Sequence, residues 1–315
     1  MTVDRIYAVM SHAQTRTEDA SNRATIGIIV PAFNEEGSIH DVVQQLRQHA
    51  PDAEIIVVDD GSTDATEREA RREPGIAVVS HERNRGYGAA LKSGMRVCSA
   101  SIIVWFDGDG QHRAEDIEAV VRPVLSGEVD ASFGARQGSL AYVMNRVPGK
   151  WLLRMVAQLI ARRHIPDLNC GLRAFRRRVI GRYLHLLPDG FSASATSTLL
   201  MIKRGYPVRF TAIQAHPRVG TSTVRVLRDG LYTFKMILRT MMMFDSLLFF
   251  SVLALIQLIA ATVYSISVMN RQGLGVPVLG AVVFVSGCLT FFMGVLSAQI
   301  NAIRQELFEL RSEND

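Results

Sequence analysis

The stretch IIVWFDGDGQH, residues 102–112, holds the two features that predict both fold and chemistry. Its apolar run, which ends at Phe106, has the length of a buried strand. Two carboxylates, Asp107 and Asp109, follow one residue apart. Because like charges this close raise each other's pKa, a bare surface turn gains little from the pair. A divalent cation would relieve the repulsion, so the stretch is a candidate metal site, although Asp-x-Asp alone is a weak signal and the rest of the sequence must decide.

The chain around this stretch alternates apolar runs with helical segments. The predicted strands are residues 26–30, 54–58, 76–80, 101–106 and 130–135, and the predicted helices are 36–49, 62–72 and 86–98. Such a pattern is typical of buried parallel strands, and it predicts an α/β fold with an open, doubly wound, Rossmann-like sheet. Ligands bind at the carboxyl ends of the strands in these sheets. Since Asn34, the Asp59-Asp60 pair and the Asp107/Asp109 pair all follow strands, we expect them at one edge.

Two long uncharged runs lie near the C-terminus. Neither 246–270 nor 272–303 holds a charged residue, and each exceeds the about 20 residues that cross a bilayer. They predict transmembrane helices at about 246–268 and 276–298; the alternative is a buried hairpin of a soluble protein, which the length disfavours. The first run follows several basic residues, whereas the loop between the runs holds only Arg271. The positive-inside rule therefore predicts a multi-pass protein of the cell membrane with a cytoplasmic main domain.

These patterns divide the chain into five predicted parts. Residues 1–24 form a flexible lead without a signal-peptide core, 25–222 the α/β domain, 223–244 a juxtamembrane amphipathic helix, 245–303 the membrane hairpin and 304–315 a cytoplasmic tail. Within the α/β domain, residues 139–164 are predicted to be helical from Pro148, with a basic face. That helix either packs on the core or lies on the membrane surface, and we favour the surface.

Composition and charge bear on the partners. The chain has 315 residues, 48% of them apolar, a net charge of +5 and a mean hydropathy of +0.14. The basic balance fits anionic lipid and an anionic substrate. A nucleic-acid partner is not expected, because the basic residues are not interleaved with aromatic ones. Three cysteines without CxxC spacing predict neither a disulfide nor zinc, and a homo-oligomer is left open.

Four polar clusters carry candidate chemistry, and each also has a structural explanation. They are PAFNEE at 31–36, VVDDGSTD at 57–64, DGDGQH at 107–112, and residues 167–175 together with RVGTS at 218–222. The first two are also typical of helix caps, with Asn34 and Ser62 or Thr63 as the capping residues. As ligand sites, the second suits a base or ribose and the third a metal shared with a diphosphate. The arginines of the fourth suit a phosphate, or are simply solvated.

Taken together with NRGYGAALKSG at 84–94, these clusters resemble the family 2 glycosyltransferases of the GT-A fold. More narrowly, the chain is similar to the polyprenyl-phosphate glycosyltransferases, the group of dolichyl-phosphate mannose synthase. The resemblance covers about residues 26–222, and the two C-terminal helices match the bacterial subgroup that acts on undecaprenyl phosphate. It implies an inverting sugar transfer from a nucleotide-sugar, a UDP-sugar ahead of a GDP-sugar, to polyprenyl phosphate at the cytoplasmic membrane face, with Mg²⁺ or Mn²⁺.

The resemblance also implies roles for individual residues. The metal and diphosphate would be held by Asp107, Asp109 and Gln111. The nucleotide-sugar would be bound by Pro31, Phe33, Glu35, Val58, Asp60, Lys92, Gly108 and Asp109. The acceptor phosphate would be bound by Arg136, Arg173, Arg218, Ser222 and Arg225, and the catalytic residues would be Asp107, Asp109, Arg136 and Arg218. The family often ends the last loop in Ser-Lys, whereas Thr223 follows Ser222 here; either Arg225 supplies the missing cation or the loop binds differently.

The implied reaction needs little acid–base chemistry. The acceptor phosphate is already anionic, with a second pKa of about 6, so the difficult charge is that on the leaving diphosphate. Two alternatives stay open: a family 2 transferase with another lipid or glycan acceptor, and a membrane-tethered nucleotide-binding scaffold. The chain has no Gln-x-x-Arg-Trp motif of the processive synthases.

Overall fold

The computed structural model describes residues 25–137, 148–190, 192–214, 242, 245–272 and 275–314. The strands are β1 Ile26–Ala32, β2 Glu54–Asp59, β3 Ala77–Ser80, β4 Ile102–Trp105, β5 Ala131–Arg136, β6 Arg173–Arg176 and β7 Val208–Ile213. The helices are α1 Ile39–His49, α2 Thr66–Ala70, α3 Tyr87–Val97, α4 Asp116–Leu125, α5 Pro148–Ala161, α6 Arg177–Gly181, α7 Ala193–Lys203, α8 Ser246–Gln272 and α9 Val278–Asn314, with a 3₁₀ turn at Leu184–Leu186. The five predicted strands are confirmed, whereas β6 and β7 were not predicted.

The seven strands form one mixed sheet in the order β3-β2-β1-β4-β6-β5-β7. All neighbouring pairs are parallel except those of β6, which runs antiparallel to both β4 and β5. The α/β class is therefore confirmed, but the sheet is not wholly parallel. The reversal at β6 carries the segment that precedes it to the edge where the parallel strands end.

The central strands form because both of their faces are covered. All residues of β4 and all but the first of β1 and β2 are buried, as the apolar runs indicate. On one face, α1 packs Ile39, Val43 and Leu46 into the core at helical spacing. On the other face, the rings of Trp105 and Phe175 lie 4.7 Å apart, centroid to centroid. The sheet is thus a rigid support for the loops that follow its strands.

The described chain forms two compact units, one holding the sheet and the other α5, α8 and α9. In the second unit, segments Ser246–Arg271 and Val278–Ile303 have mean hydropathies of 2.3 and 2.2 and are largely unburied. The two helices pack closely where α9 has glycines, because a Cβ at Gly287 would touch Leu258. Thr290 donates a hydrogen bond of 2.9 Å to Gln257 across the pair. Both helices are long and apolar enough to cross a membrane.

Some predictions fall partly or wholly outside the described residues. These are the lead 1–24, positions 139–147 of the interfacial segment and nearly all of the juxtamembrane helix 223–244. Helix α5 begins at Pro148, as predicted. Its placement on a membrane surface stays a prediction, as does the topology of the chain.

Candidate active site

The carboxyl ends of β1, β2, β4 and β5 lie at one edge of the sheet, here called the carboxyl edge. Phe33, Asp60 and Asp107 follow the first three of these strands, and Arg136 ends the fourth. A backbone hydrogen bond joins the ends of β1 and β2 at this edge: the Asp60 amide donates to the Ala32 carbonyl at 2.9 Å. The sheet therefore brings the clusters from separate strands to one edge, as predicted.

The Asp107 carboxylate lies between three groups that come from different parts of the chain. The Tyr87 hydroxyl donates to its Oδ1 at 2.8 Å, and Nε2 of His112 lies 3.4 Å from its Oδ2. Gly171, just before β6, is so close that a Cβ on it would overlap the carboxylate. The side chain is 26% exposed. Asp107 is thus held in one orientation but stays open to a ligand.

Two opposing effects set the pKa of Asp107. Burial raises it, but the hydrogen bond and charge of His112, the Tyr87 hydroxyl and the positive charge of Arg136 together lower it below its ordinary 3.8. The pKa of the Tyr87 hydroxyl is raised well above 10.0, by burial first and then by the Asp107 carboxylate. Tyr87 therefore remains a proton donor to an ionised Asp107 at neutral pH.

The turn after Asp107 shapes the second half of the acidic pair. Gly110 has a φ of +71°, which favours glycine. Asp109 Oδ1 accepts a hydrogen bond of 3.1 Å from the Gln111 amide, and the Ser38 hydroxyl donates to the Gly108 carbonyl at 2.9 Å. The motif is therefore a tight turn anchored to the loop that follows β1, with Asp109 and Gln111 half-buried.

The residues at this edge fit a divalent cation that arrives with a phosphate ligand. Among the described residues, no group of three His, Cys, Asp or Glu side chains is arranged to hold a metal alone. Mg²⁺ and Mn²⁺ are commonly bound by one or two carboxylates, with water and substrate phosphates completing the shell. The carboxylates of Asp107 and Asp109 are such a partial set, and the missing side chain at Gly171 leaves the first of them accessible.

On the β1 side of the edge, a loop-to-loop network replaces the predicted helix caps. Asn34, with a φ of +54°, accepts a hydrogen bond of 2.9 Å from the Thr63 amide, and its own amide donates to Ser62 Oγ at 2.9 Å. Helices α1 and α2 begin without a side-chain cap bond. The capping explanation is therefore wrong for these residues, because they tie the PAFNEE and DDGSTD loops together.

The residues expected around the nucleotide differ in exposure. Phe33 is 43% exposed, which leaves a ring face for a base. Glu35 is half-buried, and its Oε2 accepts from the Ser38 hydroxyl at 3.3 Å. Pro31 and Val58 are buried partners in the β1–β2 pair, so neither presents an exposed surface to a ligand.

Asp60 has a different environment from the one that the resemblance implies. It is 3% exposed, and its carboxylate accepts hydrogen bonds from the amides of Arg85 and Gly86 at 2.9 and 2.7 Å. Nδ1 of His81 lies 2.6 Å from the same carboxylate, and Nε2 of that ring lies 2.9 Å from Ser93 Oγ. Asp60 therefore shapes the NRGYG loop from within, instead of presenting free oxygens to a base or ribose.

Two basic side chains that were expected to contact ligands, Lys92 and Arg173, have partners within the protein. Lys92 pairs with Asp189 and donates to the Leu187 carbonyl at 3.1 Å. Arg173 is fully buried; its Nε donates to the Cys170 carbonyl at 2.7 Å, and its guanidinium lies 4.7 Å from the ring centre of Phe133. The structure thus corrects the expected phosphate contact of Arg173, which is buried because its strand lies inside the sheet. Lys92 pairs with an exposed carboxylate, and its contact with the nucleotide-sugar stays a prediction.

The remaining predicted residues divide between the described and the undescribed chain. Arg136 is half-buried at the end of β5, where its charge reaches Asp107. Arg218, Ser222 and Arg225 lie outside the described residues. The sequence analysis missed Tyr87, His81, His112 and Gly171. Of these, His112 stands inside the quoted DGDGQH motif and Tyr87 inside NRGYG, so proximity to the motifs was the available signal.

Comparison with known proteins gives this geometry a family. The family model "Glycosyl transferase family 2" matches residues 27–184, half of the chain. The UDP-N-acetylglucosamine–dolichyl-phosphate N-acetylglucosaminyltransferase of Methanococcus voltae is 32% identical in a 178-residue alignment that covers 49% of this chain and 70% of that protein. The dodecaprenyl-phosphate galacturonate synthase of Rhizobium johnstonii is 30% identical in a 173-residue alignment that covers 52% of this chain and 51% of that protein.

A solved structure shows the same fold. Glucosyl-3-phosphoglycerate synthase from Mycobacterium tuberculosis, in complex with Mn²⁺, uridine diphosphate and phosphoglyceric acid, superimposes with a TM-score of 0.59 over 71% of this chain and 80% of its own, at 22% identity. The family match includes β1 to β6 and the whole acidic pair. The chain therefore belongs to glycosyl transferase family 2 and is a glycosyltransferase of the GT-A fold.

Proposed function

We propose that this glycosyltransferase moves a sugar from a nucleotide-sugar, of the UDP-sugar class, to polyprenyl phosphate with inversion at the anomeric carbon. The observation that carries the proposal is the acidic pair Asp107/Asp109 at the carboxyl edge, beside the charge of Arg136. The acceptor class is supported by the two named relatives, whose names specify dolichyl phosphate and dodecaprenyl phosphate. Helices α8 and α9 also support it, because they are long and apolar enough to cross the membrane in which such an acceptor is embedded.

Asp107, Asp109 and Gln111 would hold a Mg²⁺ or Mn²⁺ ion together with the donor diphosphate. When bound, that ion supplies positive charge that stabilises the leaving diphosphate. The chain's own contribution is preorganisation: Tyr87 and His112 fix the Asp107 carboxylate, whose low pKa keeps it ionised. Arg136 adds a fixed positive charge at the same edge.

The acceptor would need orientation more than activation. Its phosphate is anionic at neutral pH, since the second pKa is about 6, so an oxygen of the lipid phosphate can attack the anomeric carbon without a strong base. Arg136 is the described residue proposed to contact that phosphate. Arg218, Ser222 and Arg225 remain proposed contacts from the segment before the apolar helices.

The membrane part of the proposal concerns topology. Helices α8 and α9 would cross the membrane as a hairpin, with the transferase domain and the C-terminal tail in the cytoplasm, where nucleotide-sugars are available. The basic residues between positions 225 and 239 would then face the cytoplasmic leaflet.

One incubation tests donor and acceptor together. The purified full-length protein is mixed with undecaprenyl phosphate, Mg²⁺ or Mn²⁺ and a panel of UDP- and GDP-sugars, and the lipid product is identified by mass spectrometry. We expect a lipid carrying one sugar through a phosphodiester link. No product with undecaprenyl phosphate, but product in a second incubation with diacylglycerol in its place, would favour another acceptor. Nucleotide-sugar binding without product in either incubation would favour a scaffold.

The first prediction concerns Asp109→Asn in the same assay. It should lower turnover about 100-fold or more, because one charged ligand of the metal and diphosphate is neutralised. Asp52→Asn is the control, since Asp52 is an exposed loop residue away from the carboxyl edge. Turnover near the wild-type rate in Asp109→Asn would contradict the assigned site.

A further inference from the structure

A cavity of about 740 Å³ lies at the opposite edge of the sheet from the acidic pair. It is bordered by the start of β4, the end of β6 and the neighbouring ends of α3, α4 and α6. The length of strand β4, which rises roughly 3.3 Å per residue, lies between the cavity and Asp107. The cavity is therefore distinct from the carboxyl edge, and glycosyl transfer as described above does not use it.

All charged residues that line this cavity are positive. Its lining holds five arginines and no carboxylate, and we call these residues the arginine cluster: Arg96, Arg176, Arg177, Arg178 and Arg182. In a packed protein such a cluster costs electrostatic self-repulsion, which an anion would remove. Carboxylate partners nearby or a negatively charged ligand would relieve this repulsion.

Nearby protein groups satisfy only part of the cluster. Arg176 pairs with Asp130 at 3.1 Å, and Arg177 donates to the Ser99 carbonyl at 2.9 Å. The other three arginines are exposed, and none forms an ion pair with any residue that the structure describes. The nearby Glu54 carboxylate is already used, because it accepts hydrogen bonds from the Ser99 and Ala100 amides. Three guanidiniums are thus left to face a ligand.

The rest of the lining is mixed: Ser99 and Ser101 are polar, and five larger side chains are apolar. Leu125 is 49% exposed and Leu184 is half-buried, so these two form the accessible apolar floor, whereas Met95, Ile102 and Val124 are at most 3% exposed. The volume lies in the usual range for pockets that enclose organic ligands. A ligand that matches both parts must carry an anionic head and an apolar group.

We propose that the arginine cluster and its apolar floor bind a phosphate ester that carries an apolar group. Guanidinium groups match phosphate oxygens in two-pronged hydrogen bonds, which favours phosphate over a simple carboxylate. The same chemistry is offered by the head of an anionic membrane lipid and by a soluble phosphate ester. The proposal is independent of the donor and acceptor assigned to the carboxyl edge.

The test uses the full-length protein in detergent, with EDTA so that the carboxyl edge keeps its negative charge and holds no metal. Two probes distinguish the sources: phenyl phosphate in solution, and phosphatidic acid in mixed micelles with phosphatidylcholine micelles as the blank. Binding is measured by thermophoresis, and hydrogen exchange of residues 176–184 reports where the probe binds. The variant is Arg178→Gln/Arg182→Gln, and the matched control is Arg68→Gln/Arg72→Gln, which removes the same charge from exposed positions of α2 and the turn after it.

We expect slower exchange of residues 176–184 with at least one probe, and binding about tenfold or more weaker in the cluster variant only. Phosphatidic acid alone would assign a membrane lipid, phenyl phosphate alone a soluble ligand, and both probes the shared chemistry. Equal weakening in the control variant would reduce the effect to general charge and overturn the site. Absence of protection with both probes would overturn it as well, and that measurement on the wild-type protein does not depend on the variants folding.

Discussion

Replacing Gly171 by alanine tests the geometry of the acidic pair without changing any charge. A Cβ at this position would lie under 3.0 Å from three atoms of the Asp107 carboxyl group, Cγ, Oδ1 and Oδ2, a distance that real Cβ atoms essentially never show. Asp107 is partly exposed at the start of the loop that follows β4. The strain is therefore relieved by moving that carboxylate, and we expect the domain to stay folded.

The size of the effect follows from the displacement. To reach ordinary contact distance, the carboxylate must move by at least about 1.5 Å, which also breaks its 2.8 Å hydrogen bond from Tyr87. A misplacement of about 1 Å at reacting groups lowers rates about 100-fold, equal to about 2.7 kcal/mol of transition-state stabilisation. Because the moved carboxylate is a proposed metal ligand, the affinity for Mn²⁺ should fall in parallel.

The assay compares Gly171→Ala with Gly181→Ala, a position where a Cβ would meet nothing within 4 Å. Initial rates with the active donor, Mn²⁺ titration and thermal unfolding are measured on both variants. The expected result is an unchanged unfolding temperature with slow turnover for the first and wild-type behaviour for the second. A Gly171→Ala enzyme that turns over at the wild-type rate would refute the placement of Asp107 at the reaction centre.

The other predictions concern the buried carboxylate of Asp60 and the half-buried carboxylate of Glu54. His81→Ala removes the 2.6 Å contact to Asp60. This variant should raise the KM for the donor about tenfold, with a smaller change in kcat. Ser93→Ala removes only the contact to the other ring nitrogen of His81 and should have a smaller effect on KM. Burial raises the pKa of Glu54, but hydrogen bonds from Ser99, Cys98 and Ala100 outweigh it and hold the pKa below 4.5. The unfolded chain therefore binds this proton more tightly, so the stabilisation is present above pH 4.5 and disappears as the pH falls through the folded pKa. The free energy of unfolding of Glu54→Gln should thus differ from that of the wild type at pH 7, and the two values should converge near pH 3. An equal difference at both pH values would contradict this.

The sequence predicted those parts of the fold that depend on local pattern. Strands β1, β2 and β4 are continuous apolar runs, and their burial on both faces is the reason that such runs occur. The acidic pair was found for the same reason, because a turn directly after a buried strand lies at the ligand edge of the sheet whatever the rest of the chain does.

Local pattern was uninformative where a side chain's surroundings come from distant segments. Asp60 and Arg173 are charged residues in loop-like or polar contexts, which normally indicates exposure. Asp60 is buried because two backbone amides and a histidine ring from more than 20 residues away satisfy its charge. Arg173 is buried because it donates to the nearby Cys170 carbonyl and to the distant Ser197 hydroxyl. The sequence shows that such residues are polar, but it does not show which partner is already present in the protein.

The antiparallel strand β6 explains why Gly171 was missed and why it matters. Its four residues, RAFR, have no apolar run, so pairing with β4 and β5, not propensity, makes the strand. In the register with β4, Ile102 pairs with Arg176 and Trp105 with Arg173. Two residues after Trp105 and two residues before Arg173, the same register sets Asp107 opposite Gly171, which is where a Cβ would meet the carboxylate. A parallel β6 would have sent this glycine to the other edge. The direction of one short strand therefore decides whether the first acidic residue has room to bind a ligand.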